Sequence, residues 1–225
     1  MSAVVRIARE ECRTLLRNRA GVIATALLVT LVLVATLVSL ERRARVEADR
    51  ARYQQSVDSD FDRQPARHPH RMVHYGQFVF RPLAPLAFFD AGVDSYTGNT
   101  IFLEGHRQNS ANFAEARQSS LLLRFGQLTP AFVLQVLAPL LLIFLGFASV
   151  ARERERGTLR LLLAQGIDGR RLLAGKLLGH GGIALAVGAP AFAVVIGFAL
   201  AGVAGWAAAL LLVAGYAAWL LLWAA

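Results

Sequence analysis

Uncharged hydrophobic stretches alternate with clusters of charged residues along this chain of 225 residues. Three stretches contain no Asp, Glu, Lys or Arg: Ala20 to Leu40 (21 residues), Leu128 to Val150 (23) and Leu177 to Ala225 (49). About 20 apolar residues in an α-helix cross the hydrocarbon core of a membrane. The first two stretches therefore predict one span each. The third predicts two, with a break at residues 202–205, where paired glycines weaken a helix.

The pattern predicts an all-α transmembrane bundle with about four spans, an N-terminal interfacial helix and a small mixed extracytoplasmic insert. The composition agrees, because 56% of the residues are hydrophobic and only 17% are charged. The first apolar stretch is too long for a cleavable signal peptide, which favours an uncleaved anchor. The expected boundaries are residues 1–19 for the interfacial helix, 20–40, 128–150, 179–201 and 206–225 for the four spans, 41–127 for the insert and 151–178 for a cytoplasmic hairpin.

The first 19 residues predict a helix that lies in the plane of the lipid head groups. Apolar and basic side chains occupy opposite faces at helical spacing, as in helices that rest on a membrane surface. The apolar face holds Val4, Val5, Ala8, Cys12, Leu15 and Leu16. The arginines expected to contact the membrane surface are Arg6, Arg9, Arg13 and Arg17.

Basic residues close to the spans predict the orientation of the chain. The N-terminal segment and the hairpin are both rich in arginine, which places them in the cytoplasm. Arg42, Arg43 and Arg45 argue the other way, but they begin an insert too long for its charges to set the topology. We therefore predict a multi-pass protein of the bacterial plasma (inner) membrane with a cytoplasmic N-terminus. Lipid head groups balance the net charge of +9, so no nucleic-acid partner is expected.

The insert between the first two spans contains residues of the types found in metal sites and catalytic triads, but their sequence surroundings support neither. Residues 41–63 predict a helical stalk that continues the first span, and residues 74–127 an irregular mixed domain. His68, His70 and His74 could coordinate a metal if the loop brought them together. No cysteine or nearby acidic ligand supports them, so no metal site is predicted. Asp94, His106 and Ser110 lack the surroundings of a nucleophile elbow, so no catalytic triad is expected either.

Small residues recur at a spacing of four in the third predicted span. Such a stripe lets a neighbouring helix approach closely, so we predict that it packs inside the bundle. The stripe consists of Ala193, Gly197, Ala201 and Gly205.

The charged hairpin between the second and third spans carries the functional signal. Its sequence predicts two short helices joined by a turn at residues 166–169, with leucines behind an entrance of charged residues. Such a surface can dock a partner through apolar contact and select it by charge. Gly175 and Lys176 do not complete a Walker phosphate loop, so this chain should bind no ATP itself. The predicted docking residues are Glu153, Glu155, Gly157, Thr158, Leu159, Arg160, Arg170, Arg171 and Lys176.

The hairpin resembles that of the type-2 ABC exporter permeases. Their E-x-G-T-L-x-x-L-L segment is matched by residues 155–163, and their R-x-x-x-x-G-K segment by residues 170–176. Residues 74–92 and 103–109 resemble the subgroup with a large extracytoplasmic insert. Since the family has six spans, the chain is expected to be incomplete at its C-terminus.

The resemblance implies a permease subunit without enzymatic activity, whose cofactors, ATP and Mg²⁺, are bound by a separate ATP-binding cassette subunit. It implies that the hairpin docks on that ATPase, that the first helix is the family's elbow helix, and that a second permease copy or paralogue is a partner. An alternative is a membrane-anchored sensor whose external domain binds a ligand. A third is a membrane-bound enzyme that uses the histidine-bearing loop.

Overall fold

The computed structural model describes residues 2–107, 109–112 and 128–224. The chain forms two compact units: residues 1–36 with 128–225, and residues 37–127. The long helices are α1 (Ala3–Arg17), α2 (Arg19–Asp62), α6 (Ala138–Glu155), α8 (Gly169–Leu200) and α9 (Trp206–Ala224). The short elements are α3 (Pro69–Met72), β1 (Gln77–Phe80), α4 (Asp94–Thr97), β2 (Thr100–Leu103), α5 (Pro130–Phe132) and α7 (Thr158–Ala164). A π-helical turn, Val133–Leu137, joins α5 to α6.

Four helical segments of the described chain are long and apolar enough to cross a membrane, which confirms the predicted all-α bundle. They lie in Arg19–Asp62, Pro130–Phe147, Gly169–Leu200 and Trp206–Ala224. The third and fourth segments part at residues 201–205, where paired glycines predicted the break. Gly202 has a φ of 69°, a left-handed conformation that glycine adopts without steric cost.

The first unit is built around α8. Helices α6 and α9 pack against α8 and against each other, and α1 packs along the first half of α8. Small and β-branched side chains at helical spacing make the buried face of α8, which allows close approach of its neighbours. From Ala184 to the end of the helix, this face consists of Ala184, Val187, Gly188, Ala191, Val195 and Ala199.

The stripe of small residues predicted to pack does not coincide with the buried face of α8 in the described chain. Ala193 and Gly197 are exposed, and Ala201 and Gly205 lie beyond the last residue of α8. A helix turns about 100° per residue, so Ala193 lies roughly 200° around α8 from the buried Ala191. Ala193 therefore lies on the opposite face of α8 from the one that packs.

The predicted pair of short helices in the hairpin is only half correct. Helix α7 is the first of them, but the second is the beginning of α8, which continues through Pro190 to Leu200. Gly175 and Gly179 do not break α8, because α1 packs directly over both of them. The hairpin and the third span thus share one uninterrupted helix.

The second unit contains the described part of the predicted insert. Helix α2 continues past the expected end of the first span to Asp62, and β1 pairs with β2 in antiparallel register. The ring of Tyr53 stacks on Phe80 with centroids 6.1 Å apart, and the side chain of Gln54 accepts a hydrogen bond from the Phe80 amide at 3.2 Å. These contacts fix the hairpin of strands on the stalk. Residues 108 and 113–127 of the predicted insert, and residue 225 of the predicted fourth span, lie outside the described residues.

Candidate functional site

A buried lysine ties three helices together at the end of the bundle that carries the charged hairpin. Lys176 of α8 is only 5% exposed. Its ammonium pairs with the carboxylate of Glu11 on α1 and lies 2.8 Å from a carboxylate oxygen of Glu153 on α6. It also donates to the hydroxyl of Ser149 on α6 at 2.8 Å, and that hydroxyl donates to Glu11 at 3.0 Å. We call these four residues, Glu11, Ser149, Glu153 and Lys176, the lysine cluster.

Two glycines on α8 bring α1 close enough to form this cluster. A Cβ atom at Gly175 would lie 2.6 Å from the Cβ of Ile7 and 3.0 Å from the carbonyl oxygen of Val4. A Cβ atom at Gly179 would lie 2.8 Å from the Cβ of Glu11. Real side chains do not approach so closely, so only glycine fits at either position. The glycines therefore set the distance at which Glu11 reaches Lys176.

Because the cluster is buried, each of its charged side chains is stable only while its oppositely charged partner is present. Removing one member of a buried ion pair leaves an uncompensated charge, which typically costs about 3–5 kcal/mol. The side chains of Lys176 and Glu11 are 6% and 9% exposed, so water compensates little for a lost partner. Helices α1, α6 and α8 are thus held as one body at this end of the bundle.

The hairpin next to the cluster is shaped by glycine turns and a cap. Gly157, with φ 69°, forms the turn between α6 and α7, and Gly166, with φ 81°, lies in the turn after α7. Asp168 then caps α8, because its carboxylate accepts a hydrogen bond from the Arg171 amide at 2.7 Å. The hydroxyl of Thr158 donates to the carbonyl oxygen of Glu153 at 3.2 Å, which ties the start of α7 to the lysine cluster.

A cleft of about 580 Å³ opens between α1, the end of α6 and α7. Its floor is the lysine cluster, represented by Glu11, Ser149 and Glu153. Its walls carry both charged and apolar side chains, so it offers charge selection and apolar contact to an occupant. The wall residues are Ala3, Arg6, Ile7, Glu10, Thr14, Arg156, Thr158, Leu162, Gln165, Ile167 and Leu172.

A family model described as ABC-2 family transporter protein matches residues 5–225. The chain belongs to the ABC-2 transporter family. It is a membrane permease component of an ABC transporter and a multi-pass membrane protein. No curated protein and no solved structure matches the chain significantly.

The cleft of this ABC-2 family protein includes some of the docking residues predicted from sequence and not others. Glu153 and Thr158 line it. The remaining hairpin residues lie in α7 or at the adjoining ends of α6 and α8 and are exposed or half-buried, namely Glu155, Gly157, Leu159, Arg160, Arg170 and Arg171. Lys176 requires a correction, because it is buried in the lysine cluster and does not reach the docking surface.

The N-terminal arginines of this permease component are all exposed, and one of them, Arg6, also lines the cleft. Arg6, Arg9, Arg13 and Arg17 are all exposed, on the face of α1 where the sequence placed them. Arg6 also lines the cleft, although only a lipid contact was predicted for it. Part of the apolar face of α1 packs on α8, since Leu15 is buried and the Cys12 thiol lies 3.8 Å from the carbonyl oxygen of Gly179. Val5 and Leu16, which the sequence placed on the same face, are exposed.

Glu11 and Ser149 of this ABC-2 protein were missed by the sequence analysis. A signal for Glu11 was available, because it occurs one helical turn from Ala8 and one from Leu15, on the apolar face of α1. A carboxylate in that position is rarely buried without a cationic partner. No comparable pattern marks Ser149, which lies in an apolar helix.

The histidines of the insert are arranged differently from the predicted set. The ring of His68 accepts a hydrogen bond from the His70 amide at 3.2 Å and so caps α3. His70 and His74 lie instead against His106. Of the triad considered from sequence, Asp94 binds Arg81 at 2.9 Å.

Proposed function

We propose that this ABC-2 family protein is the permease subunit of an exporter, and that a separate ATP-binding cassette subunit docks on its hairpin and in the adjacent cleft. The observation that carries the proposal is the lysine cluster, which joins α1, α6 and α8 at the floor of that cleft. A partner seated there contacts three helices that move together. ATP and Mg²⁺ belong to the partner in this proposal.

Helix continuity supports the transmission of movement from the hairpin into the membrane. Helix α8 runs from the hairpin to Leu200, and at about 1.5 Å per residue its 32 residues extend roughly 48 Å. Helix α6 likewise leads from the second span to the hairpin, ending at Glu155. Closure of the ATPase that displaces α7 would therefore tilt the second and third spans. Since the lysine cluster joins them, the two spans would tilt as a pair.

The surface of α7 suits a protein partner. Leu161 and Leu163 are 62% and 48% exposed, although α7 is a short helix with its own packing to α6. Exposed leucines beside charged groups such as Glu155 and Arg160 are typical of a patch that a partner covers. The leucines supply the buried area, and the charges set the register of docking.

The proposal includes an orientation. The hairpin and α1 face the cytoplasm, where ATP is available, and the unit from 37 to 127 lies outside the bacterial inner membrane. A second permease copy or paralogue completes the export pathway. The arginine-rich character of α1 and of the hairpin supports this orientation.

Co-purification with the cognate ATPase subunit tests the docking surface. Replacing Leu161 and Leu163 together by serine should reduce recovery of the ATPase roughly tenfold or more, as the loss of central contacts does in other interfaces. Leu103→Ser is the matched control, because Leu103 is similarly exposed but lies in the second unit. Equal recovery with the leucine double variant and with the control would contradict docking at α7.

Charge reversal provides a second and independent test. Glu155→Arg combined with Arg160→Glu keeps the net charge of the hairpin but inverts its pattern. We expect slower assembly with the ATPase and a stronger effect at low salt, since charge pairing governs association rates. Arg45→Glu, at an exposed position of α2, is the control. Unchanged association kinetics and unchanged ATP turnover in the reversed variant would exclude charge selection at this surface.

A further inference from the structure

Three histidines from two separate segments of the insert meet at one point. The ring centroids of His70, His74 and His106 are 5.2 to 5.7 Å apart. Each ring offers one nitrogen, and the three nitrogens lie within 4.8 Å of one another. In a tetrahedral site with metal–nitrogen bonds of about 2.0 Å, ligand nitrogens are roughly 3.3 Å apart. A small rotation of exposed side chains therefore closes the set around an ion.

The backbone holds the two segments together without help from the imidazoles. The amide of Gly105 donates a hydrogen bond to the carbonyl oxygen of Val73 at 2.7 Å. The next residue on each side is a histidine, His74 in one segment and His106 in the other. A Cβ atom at Gly105 would lie 2.7 Å from the Cβ of Val73, so the contact requires glycine. This approach makes the histidine positions a property of the fold.

His106 adopts a backbone conformation that favours glycine. Its φ is 69°, and no other residue of the described chain except glycines has a positive φ. It forms a tight turn with Gly105, closed by a β-bridge between Glu104 and Arg107. Strained backbone of this kind persists where the surrounding structure fixes it, and it concentrates at ligand sites. Histidine is one of the few residues besides glycine that adopt this conformation readily, so the turn can place an imidazole beside His70 and His74.

We propose that His70, His74 and His106 bind one divalent transition-metal ion of the Zn²⁺ and Cu²⁺ class. Imidazole suits these ions, whereas Mg²⁺ and Ca²⁺ prefer oxygen ligands. Three protein ligands leave a fourth position open for water or for a group of a ligand. All three rings are exposed, so the ion exchanges with the surrounding solution. The site does not depend on the proposed docking of an ATPase.

Zinc titration of the purified full-length chain tests the site. The protein carries an affinity tag without histidine, is stripped with EDTA and is titrated in detergent against a zinc-sensitive dye. We expect one Zn²⁺ per chain, and we expect His74→Ala and His106→Asn each to weaken binding at least about tenfold, as the loss of a metal-site group does. Asparagine is chosen at position 106 because it tolerates a positive φ. Failure to bind Zn²⁺ would overturn the proposal.

Two further variants distinguish one site in which three histidines coordinate the same ion from single exposed histidines that each bind zinc independently. His68→Asn keeps the cap of α3 and removes a neighbouring exposed histidine, so it should leave the affinity unchanged. Gly105→Ala keeps all three ligands but forces the turn away from Val73, so it should weaken binding about as much as the loss of a ligand. Equal effects of His68→Asn and His74→Ala, or full affinity in Gly105→Ala, would contradict the site.

Other ions define the chemistry of the site. Bound Co²⁺ should show the intense visible absorption of tetrahedral coordination, and His106→Asn should lose it. Cu²⁺ should bind at least as tightly as Zn²⁺, and a large excess of Mg²⁺ should displace neither. Displacement of Zn²⁺ by Mg²⁺ would exclude an imidazole site.

Discussion

The ammonium of Lys176 lies 2.8 Å from a carboxylate oxygen of Glu153, which joins α8, the helix of the third span, to the last turn of α6, the helix of the second span. The same ammonium pairs with Glu11, so the N-terminal helix belongs to the same charged group. Glu153 and Lys176 lie near the two ends of the hairpin, which comprises residues 151–178 and includes α7. Any force on α7 therefore arrives at a point where the two helices are already connected.

Replacing Lys176 by methionine should destabilise the protein strongly. The variant keeps the length of the side chain but leaves the carboxylate of Glu11 buried without its cation, at a cost of about 3–5 kcal/mol. We expect a large fall in the apparent melting temperature in detergent, measured by loss of the monodisperse peak after heating. Glu11→Leu in the Lys176→Met background should recover part of the loss, because it removes the more deeply buried of the two carboxylates that lose the cation, while Glu153 still lacks it.

An exposed ion pair at the start of the same helix provides the control for the Lys176 and Glu11 variants. Arg171 pairs with Asp168, and both side chains are more than half exposed. Arg171→Met should change the melting temperature little, since exposed ion pairs contribute about 0–1 kcal/mol. Comparable losses from Lys176→Met and Arg171→Met would contradict the special role of the buried cluster.

The spans and the outer face of α1 could be predicted from sequence, and the lysine cluster could not. Long uncharged stretches need only length and composition to be recognised, and the break before Trp206 is marked by glycine. The pairing of Lys176 with Glu11 joins positions that are distant in the chain, and its signal is a single carboxylate on an apolar face. Spacing alone does not tell which face of a helix has a neighbour, so the stripe that includes Ala193 did not indicate the buried face of α8.

Adding a methyl group at Gly175 should separate α1 from α8. The new Cβ would lie 2.6 Å from that of Ile7, and overpacking of this kind typically costs about 1–3 kcal/mol. We expect Gly175→Ala to lower the melting temperature. Gly182→Ala is the matched control on the same helix, because no atom lies within 4 Å of its added Cβ. It should be neutral or slightly stabilising, since alanine is the better helix former. A lower melting temperature for Gly182→Ala than for Gly175→Ala would show that α1 does not pack against α8 at Gly175.

A polar contact within the predicted membrane region should contribute modestly to stability. The side-chain amide of Gln135, in the π-helical turn, donates to the hydroxyl of Tyr216 on α9 at 2.6 Å. Hydrogen bonds between membrane helices contribute on average about 0.6 kcal/mol. Gln135→Leu and Tyr216→Phe should each lower the melting temperature slightly, and the double variant should lose no more than the larger single effect. Fully additive losses would indicate that the two side chains do not interact.

The cap of α8 should control how firmly the hairpin is connected to the third span. Asp168→Ala removes the acceptor for the Arg171 amide, which typically costs about 1 kcal/mol, and the first turn of α8 should fray. Hydrogen exchange of residues 169–173 should become faster, while the buried middle of α8 stays protected. Asp168→Asn keeps an acceptor but removes the charge, so it should retain slow exchange. Fast exchange in the asparagine variant would assign the effect to the ion pair with Arg171 and not to the cap. If the hairpin transmits force through α8, the alanine variant should also couple ATP hydrolysis to transport less efficiently than the asparagine variant.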